Sequence, residues 1–172
     1  LAGYFTEDVR VDNHASTDAA RKASSTKVLE EVRRLIRPGD YVIIQFGHND
    51  EKPKPDRHTD PGTTFDANLR RFVEETRAKG GKPVLLNSIV RRNFFDNNTV
   101  TDDDLRREKV EGTKLEGDTL IDTHGAYLDS PRNVAAAMDF PFIDMNRLTH
   151  DLVQGLDAKP RSRLFSLDSR TE

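Results

Sequence analysis

The segment Gly39-Asp40-Tyr41-Val42-Ile43-Ile44-Gln45-Phe46-Gly47-His48-Asn49-Asp50 decides the fold of this chain. Its middle is a continuous apolar run that follows a Pro-Gly turn pair, and such a run is typical of a central strand that is covered on both faces. The run ends in the pattern Gly-x-Asn-Asp. The sequence therefore predicts a buried strand over residues 41–46 with a sharp turn at its carboxyl end.

The residue types in this turn suit acyl-transfer chemistry. Glycine lets the backbone turn sharply, and an asparagine amide at the end of a strand can donate a hydrogen bond to the oxyanion of an acyl-transfer intermediate. Asn49 and Gly47 are therefore candidate oxyanion-hole residues, and His48 and Asp50 are candidate substrate contacts. The alternative is an ordinary strand-to-loop turn, since Gly, Asn and Asp favour turns in any protein.

The other apolar segments predict an alternation of strands and helices. Further strands are expected over residues 7–13, 82–88 and 140–145. Helical spacing predicts helices over Val28–Ile36, over Phe65–Thr76, over about 119–138 with a break or kink at Pro131, and from Asn146 as an N-cap to Leu156. Because no hairpin signal interrupts this alternation, we expect three-layer α/β architecture with a mainly parallel sheet. Ligand sites are expected in the long connections 51–62 and 90–117.

Composition restricts the partners of this single domain. The 172 residues carry 27 basic and 30 acidic side chains, mixed along the chain to a net charge of -3, so no one-signed field attracts nucleic acid. No apolar stretch approaches the ~20 residues that span a bilayer, and no membrane partner is expected. The absence of cysteine excludes disulfides and thiolate metal sites. No cofactor is predicted.

Several segments of the chain resemble the rhamnogalacturonan acetylesterases of the SGNH (GDSL-type) hydrolase superfamily. They are residues 39–50, which match the third sequence block of that superfamily, and residues 57–65, 83–94 and 118–127. The resemblance extends in order from about Gly3 to Leu164. It implies a flavodoxin-like α/β/α fold and a secreted or periplasmic carbohydrate esterase that removes acetyl groups from pectin. The implied mechanism is that of a Ser-His-Asp acyl-enzyme hydrolase, with Asn49 in the oxyanion hole.

The same resemblance implies catalytic groups that this chain does not show. The Gly-Asp-Ser block of the nucleophile belongs upstream of Leu1, and the Asp-x-x-His block is expected soon after Glu172. None of the five histidines has aspartate three residues before it. We therefore expect residues 1–172 to be one partial domain that lacks its first strand, is inactive by itself and is marginally stable. Rival hypotheses are a catalytically inactive carbohydrate-binding remnant and a purely structural α/β domain.

Two departures from the family pattern affect the catalytic groups. Residues 17–25 contain no glycine, although a glycine there would supply the second oxyanion donor of the family. Gly117-Asp118-Thr119 resembles a Gly-Asp-Ser nucleophile block, but it follows the Gly-x-Asn-Asp block, opposite to the family order. We interpret it as a turn and helix cap, because a nucleophile motif requires its strand-to-helix context.

Arginine and histidine supply the remaining candidates. Arg91 and Arg92 follow a predicted strand, where guanidinium groups could pair with galacturonate carboxylates; an exposed basic pair is the alternative. His58 with Asp60 and His124 with Asp122 lack the ligand spacing of a metal site, so none is predicted. His124 lies on an apolar stripe and is expected to be a hydrogen-bonded core histidine.

Overall fold

The computed structural model describes residues 5–14, 26–55, 57–91, 94–95 and 119–156. The elements are, in chain order, α1 (Thr26–Leu35), β1 (Tyr41–Gln45), α2 (Thr64–Ala78), β2 (Lys82–Leu86), β3 (Phe94–Phe95), β4 (Thr119–Leu120), a 3-10 helix (Gly125–Leu128), α3 (Asp129–Met138), β5 (Phe142–Ile143) and α4 (Met145–Gln154). Among the described helices, none is both long and apolar enough to cross a bilayer. The predicted Gly117-Asp118 turn, the second-block segment 17–25 and Arg92 lie outside the described residues.

Three strands form a parallel sheet in the order β1-β2-β5. Tyr41 aligns with Lys82, and Leu85 aligns with Phe142. Parallel neighbours require a crossover connection, which α2 provides between β1 and β2 and α3 provides between β2 and β5. The predicted α/β class with a parallel sheet is confirmed, although β2 and β5 are shorter than the segments 82–88 and 140–145 suggested.

The core lies on the face of the sheet that is covered by α2 and α3. Its members are Ile44, Phe65, Leu69, Phe72, Val73, Leu85, Tyr127 and Val134, with Val42, Phe46, Met138, Phe140 and Phe142 packed around them. Alternate strand residues point to opposite faces, and Tyr41 and Ile43 are 69% and 50% exposed. The prediction of a central strand covered on both faces is therefore wrong for β1, and β2 is the central strand among those described. The third layer and the missing first strand stay predictions.

The strand predicted over residues 7–13 does not form. Residues 5–14 contain turns and bends, with one turn hydrogen bond from the Val9 N–H to the Thr6 carbonyl at 3.0 Å. A strand needs a neighbour for its N–H and C=O groups, and within the described ranges this segment has no ladder partner. Val9 is 45% exposed, so the apolar side chain of this alternating segment is not packed into the core.

The helix predicted over residues 119–138 is also wrong in its first half. Residues 119–120 form β4, which pairs antiparallel with β3, and the α-helix begins only at Asp129. Gly125 has a φ of +53°, which an α-helix interior does not accept. Pro131 lies in the first turn of α3, where its missing N–H would have no helical partner anyway, so it causes no kink.

Helix α4 begins two residues earlier than predicted. Its N-cap is Asp144, whose carboxylate accepts the Arg147 N–H at 3.1 Å, instead of Asn146. Asn146 is buried inside the first turn, and its side chain donates to the Asp122 carboxylate at 3.2 Å. Helix α2 agrees with its prediction and ends just before Gly80, where φ is +77°.

Candidate active site

The turn that follows β1 is built around Gly47. Its φ is +136°, a conformation that L side chains rarely adopt, and an added β-carbon would lie 2.5 Å from the Ser88 Oγ. Because β1 and β2 are parallel, Ser88, just beyond the carboxyl end of β2, lies beside the turn that follows β1. Glycine is therefore required here both by backbone conformation and by the close approach of the neighbouring strand.

Asp50 holds this turn closed from inside. Its carboxylate accepts the Gly47 N–H and the Thr59 hydroxyl, each at 3.1 Å, and the residue is 2% exposed. Burial raises the pKa of Asp50, although both hydrogen bonds counteract this shift. Asp50 therefore supports the turn, and its predicted contact with substrate stays a prediction. The Gly47 N–H donates to the same carboxylate, and the oxyanion-hole roles of Gly47 and Asn49 stay predictions.

Asn49 is half-buried, and its amide has a defined orientation. The Lys52 ammonium donates to the Asn49 Oδ1 at 2.7 Å. An amide carries its acceptor and its donors at opposite ends, so a cation at Oδ1 leaves Nδ2 as the end that can donate to an anion. Lys52 was not among the predicted site residues, because it lies in a Lys- and Pro-rich stretch whose composition is typical of an exposed loop.

Arg91 points into the protein. Its guanidinium pairs with the Glu51 carboxylate and donates to the His48 carbonyl and to the Thr123 hydroxyl, each at 3.3 Å. The Glu51 side chain is only 6% exposed. Burial lowers the pKa of Arg91, and the negative charge of Asp122 counteracts this shift. Three groups of the protein thus contact the Arg91 guanidinium, whose side chain is 29% exposed, and its pairing with galacturonate stays a prediction.

His124 is completely buried, which confirms the prediction of a hydrogen-bonded core histidine, although it lies in a loop and not on a helix. Its Nε2 donates to the Ile89 carbonyl at 2.9 Å, and its Nδ1 lies 3.2 Å and 3.3 Å from the two carboxylate oxygens of Glu51. A carbonyl only accepts, so Nε2 carries a hydrogen, and the contact at Nδ1 needs another proton between ring and carboxylate. The His124 Nδ1 therefore lies within hydrogen-bonding distance of both Glu51 oxygens.

The charge of His124 depends on its surroundings. Burial lowers its pKa, and the positive charge of Arg91 acts in the same direction, whereas Asp122 and the hydrogen bond to Ile89 favour the charged ring. We call the three side chains of Glu51, Arg91 and His124 the Glu51 cluster. It consists of the buried Glu51 and His124 and of Arg91, whose side chain is 29% exposed.

His48 precedes Asn49 in the turn and contacts the Glu51 cluster. Its ring contacts the His124 ring edge-on, with 4.5 Å between the centroids. Burial lowers the pKa of His48 to about 4, and the positive charges of His124, Arg91 and Lys52 add to the shift. At neutral pH the ring is therefore neutral, so it can exchange hydrogen bonds with a sugar hydroxyl but offers no positive charge to a carboxylate. His48 stays a candidate substrate contact.

Tyr127 fixes the loop that follows the turn. Its buried hydroxyl lies 2.6 Å from the Thr59 carbonyl and 3.3 Å from the Asp50 carbonyl. In the same loop, the His58 ring lies 3.2 Å from the Asp60 carboxylate.

In the part of the chain that the structure describes, no three His, Asp or Glu side chains converge as metal ligands.

Comparisons with known proteins show which proteins this chain is similar to. No family model matches the chain. Rhamnogalacturonan acetylesterase RhgT of Bacillus subtilis (strain 168) is 33% identical over 162 residues, which are 94% of this chain and 60% of RhgT. Probable rhamnogalacturonan acetylesterase YesY of the same strain is 32% identical over 99 residues, 55% of this chain and 44% of YesY. The chain thus spans less than two thirds of these relatives.

A solved structure shows the same fold. The crystal structure of YxiM from Bacillus subtilis superimposes with a TM-score of 0.59 and 22% sequence identity, covering 86% of this chain and 35% of YxiM. The parallel sheet and its crossover helices are therefore shared with a protein that is more than twice as long as the matched part.

Proposed function

Because this chain belongs to the SGNH hydrolases of the rhamnogalacturonan acetylesterase type, we propose that the complete protein removes acetyl groups from rhamnogalacturonan. The observation that carries the proposal is the Asn49 amide. Asn49 follows the carboxyl end of a strand in a parallel sheet, which is where α/β enzymes place their ligands. The Lys52 ammonium binds the Asn49 Oδ1, so that the Nδ2 can donate.

The residues of this chain would contribute to one part of the mechanism. A serine attacks the acetyl carbonyl, histidine carries the proton, and aspartate orients the histidine, all from segments outside residues 1–172. As the carbonyl oxygen becomes negative, the Asn49 Nδ2 donates to it, and the nearby Lys52 ammonium adds favourable charge. Asp50 and Gly47 keep the turn in place during this step.

The proposed partner is an acetylated pectic oligosaccharide or polysaccharide, met in a secreted or periplasmic setting. Neutral His48 beside Asn49 suits a sugar hydroxyl next to the acetyl group. Three groups of the protein contact the Arg91 guanidinium, so Arg92 is the other candidate of this chain for pairing with a uronate carboxylate.

The test measures acetate released from acetylated rhamnogalacturonan by the complete protein. Asn49→Ala should lower kcat roughly 10²- to 10³-fold with little change in KM, since the lost hydrogen bond forms fully only in the transition state. Asn133→Ala on the exposed surface of α3 is the matched control and should keep wild-type kcat. Unchanged kcat in Asn49→Ala would contradict the proposal, and binding of the polysaccharide without acetate release would favour the inactive binding remnant.

A further inference from the structure

The Glu51 cluster has no part in the mechanism so far. In this cluster the Glu51 carboxylate contacts Arg91, which lies 40 residues later in the sequence, and His124, which lies 73 residues later. A buried ion pair is weak evidence for stability, because the cost of removing two charges from water offsets much of their attraction. Its contacts with the turn suggest another use.

Arg91 connects the cluster to the peptide that precedes Asn49. Its Nη2 donates to the His48 carbonyl at 3.3 Å. The carbonyl of one residue and the N–H of the next lie in one rigid plane, so a hydrogen bond to the His48 oxygen restrains the orientation of the peptide that leads to the Asn49 Cα. The direction in which the Asn49 side chain leaves the turn depends on that peptide.

The cluster also limits the movement of Arg91 and His48. Glu51 and the Thr123 hydroxyl hold the guanidinium, and the His124 ring, itself anchored to the Ile89 carbonyl, packs against the His48 ring. Arg91, from the loop after β2, thus contacts the His48 carbonyl, and His124, from the loop before the 3-10 helix, contacts the His48 ring. This geometry suits the positioning of a donor that must be accurate to a fraction of an ångström.

We propose that Arg91, held by Glu51 and His124, is a positioning residue that acts on the reaction through the His48–Asn49 peptide. The proposal rests on the oxyanion-hole role of Asn49 in the proposed function. It assigns Arg91 no contact with substrate. Arg91→Lys keeps the charge but removes the fork that bonds Glu51, Thr123 and the His48 carbonyl together.

The test is a double-mutant cycle in the complete protein, with kcat and KM for acetate release measured for each variant. Arg91→Lys should lower kcat about tenfold and leave KM within about twofold, because a displaced oxyanion donor weakens transition-state binding only. In an Asn49→Ala background the same change should lower kcat by less than about twofold, since no donor is left to position. Arg34→Lys, on a side chain that is 79% exposed, is the matched control and should keep wild-type kcat.

Each other outcome decides against the proposal. Equal losses of kcat in both backgrounds would mean that Arg91 acts independently of Asn49, and a raised KM with unchanged kcat would mean that it contacts the substrate. An Asn49→Ala variant with wild-type kcat would overturn the oxyanion-hole role together with this inference. If circular dichroism shows that Arg91→Lys does not fold, Thr123→Val replaces it, because it removes one acceptor of the same guanidinium. Thr123→Val should then give the same non-additive pattern with a smaller amplitude, and additivity would again overturn the positioning role.

Discussion

The backbone of Gly47 lies so close to Ser88 that a β-carbon on Gly47 would stand 2.5 Å from the Ser88 Oγ. Ser88 is fully buried, and its hydroxyl donates to the Phe46 carbonyl at 3.3 Å, so it has little room to retreat. The φ of +136° at Gly47 adds a backbone cost for any other residue. The shape of the turn that carries Asn49 therefore depends on the neighbouring strand as much as on its own sequence.

Gly47→Ala should lower the free energy of unfolding by about 2–4 kcal/mol, the sum of backbone strain and overpacking against Ser88. Urea denaturation of the complete protein measures the loss. Adding Ser88→Ala should restore part of it, because the Ser88 Cβ would lie 3.7 Å from the new β-carbon, which is an ordinary contact.

Gly62→Ala is the control for the strain term alone. Gly62 has a φ of +79°, and its β-carbon would meet no atom within 4 Å. It should cost about 1 kcal/mol, as expected for a non-glycine residue in a left-handed conformation. Equal losses at Gly47 and Gly62 would show that the contact with Ser88 is not a source of strain.

Tyr127→Phe should lower the free energy of unfolding by about 1 kcal/mol, because the Thr59 and Asp50 carbonyls lose their shared hydroxyl donor. Tyr41→Phe is the matched control, since Tyr41 is 69% exposed and a phenylalanine ring would keep the contact with the Lys82 ammonium. Surface changes of this kind stay within about 0.5 kcal/mol. Equal melting temperatures for Tyr127→Phe and wild type would contradict the anchoring role of the hydroxyl.

Local patterns predicted the elements that depend on local physics. The 3.6-residue spacing in Phe65–Thr76 reports a helix that buries one face, and α2 does so. The Gly-x-Asn-Asp pattern placed a sharp turn where Gly47 has a positive φ. The continuous apolar run in β1 was misread as covered on both faces, because apolar residues of a strand do not reveal whether a second layer is present.

The Glu51 cluster could not be predicted because its bonds are long-range. Glu51 stands in a charged, proline-rich stretch that is typical of a solvated loop, and its partners lie 40 and 73 residues away. The doublet Arg91-Arg92 likewise resembles other arginine doublets in the sequence. Only the fold shows that the first guanidinium turns inward, since parallel strands bring the segments after β1 and β2 together.

The neutral state of His48 leads to a pH dependence with a definite sign. The folded protein lowers the pKa of His48 from 6.5 to about 4. Between these values the unfolded chain binds a proton at His48 that the folded protein does not bind, so stability should fall as the pH falls from 6.5 to about 4. Above pH 6.5 the residue is neutral in both states and its contribution is fully present.

Other groups titrate near this window, so a variant is needed to isolate His48. The lowered pKa of His124 acts in the same direction, whereas burial raises the pKa of Asp50, which stabilises the folded state as the pH falls. The net slope of stability against pH is a sum of these effects, and His48→Asn should make it less steep between pH 6.5 and 4. The His48 ring proton shift, followed by NMR during acid titration, should have its midpoint near pH 4. A midpoint near 6.5 would mean that the ring is solvated and that the neighbouring charges do not reach it.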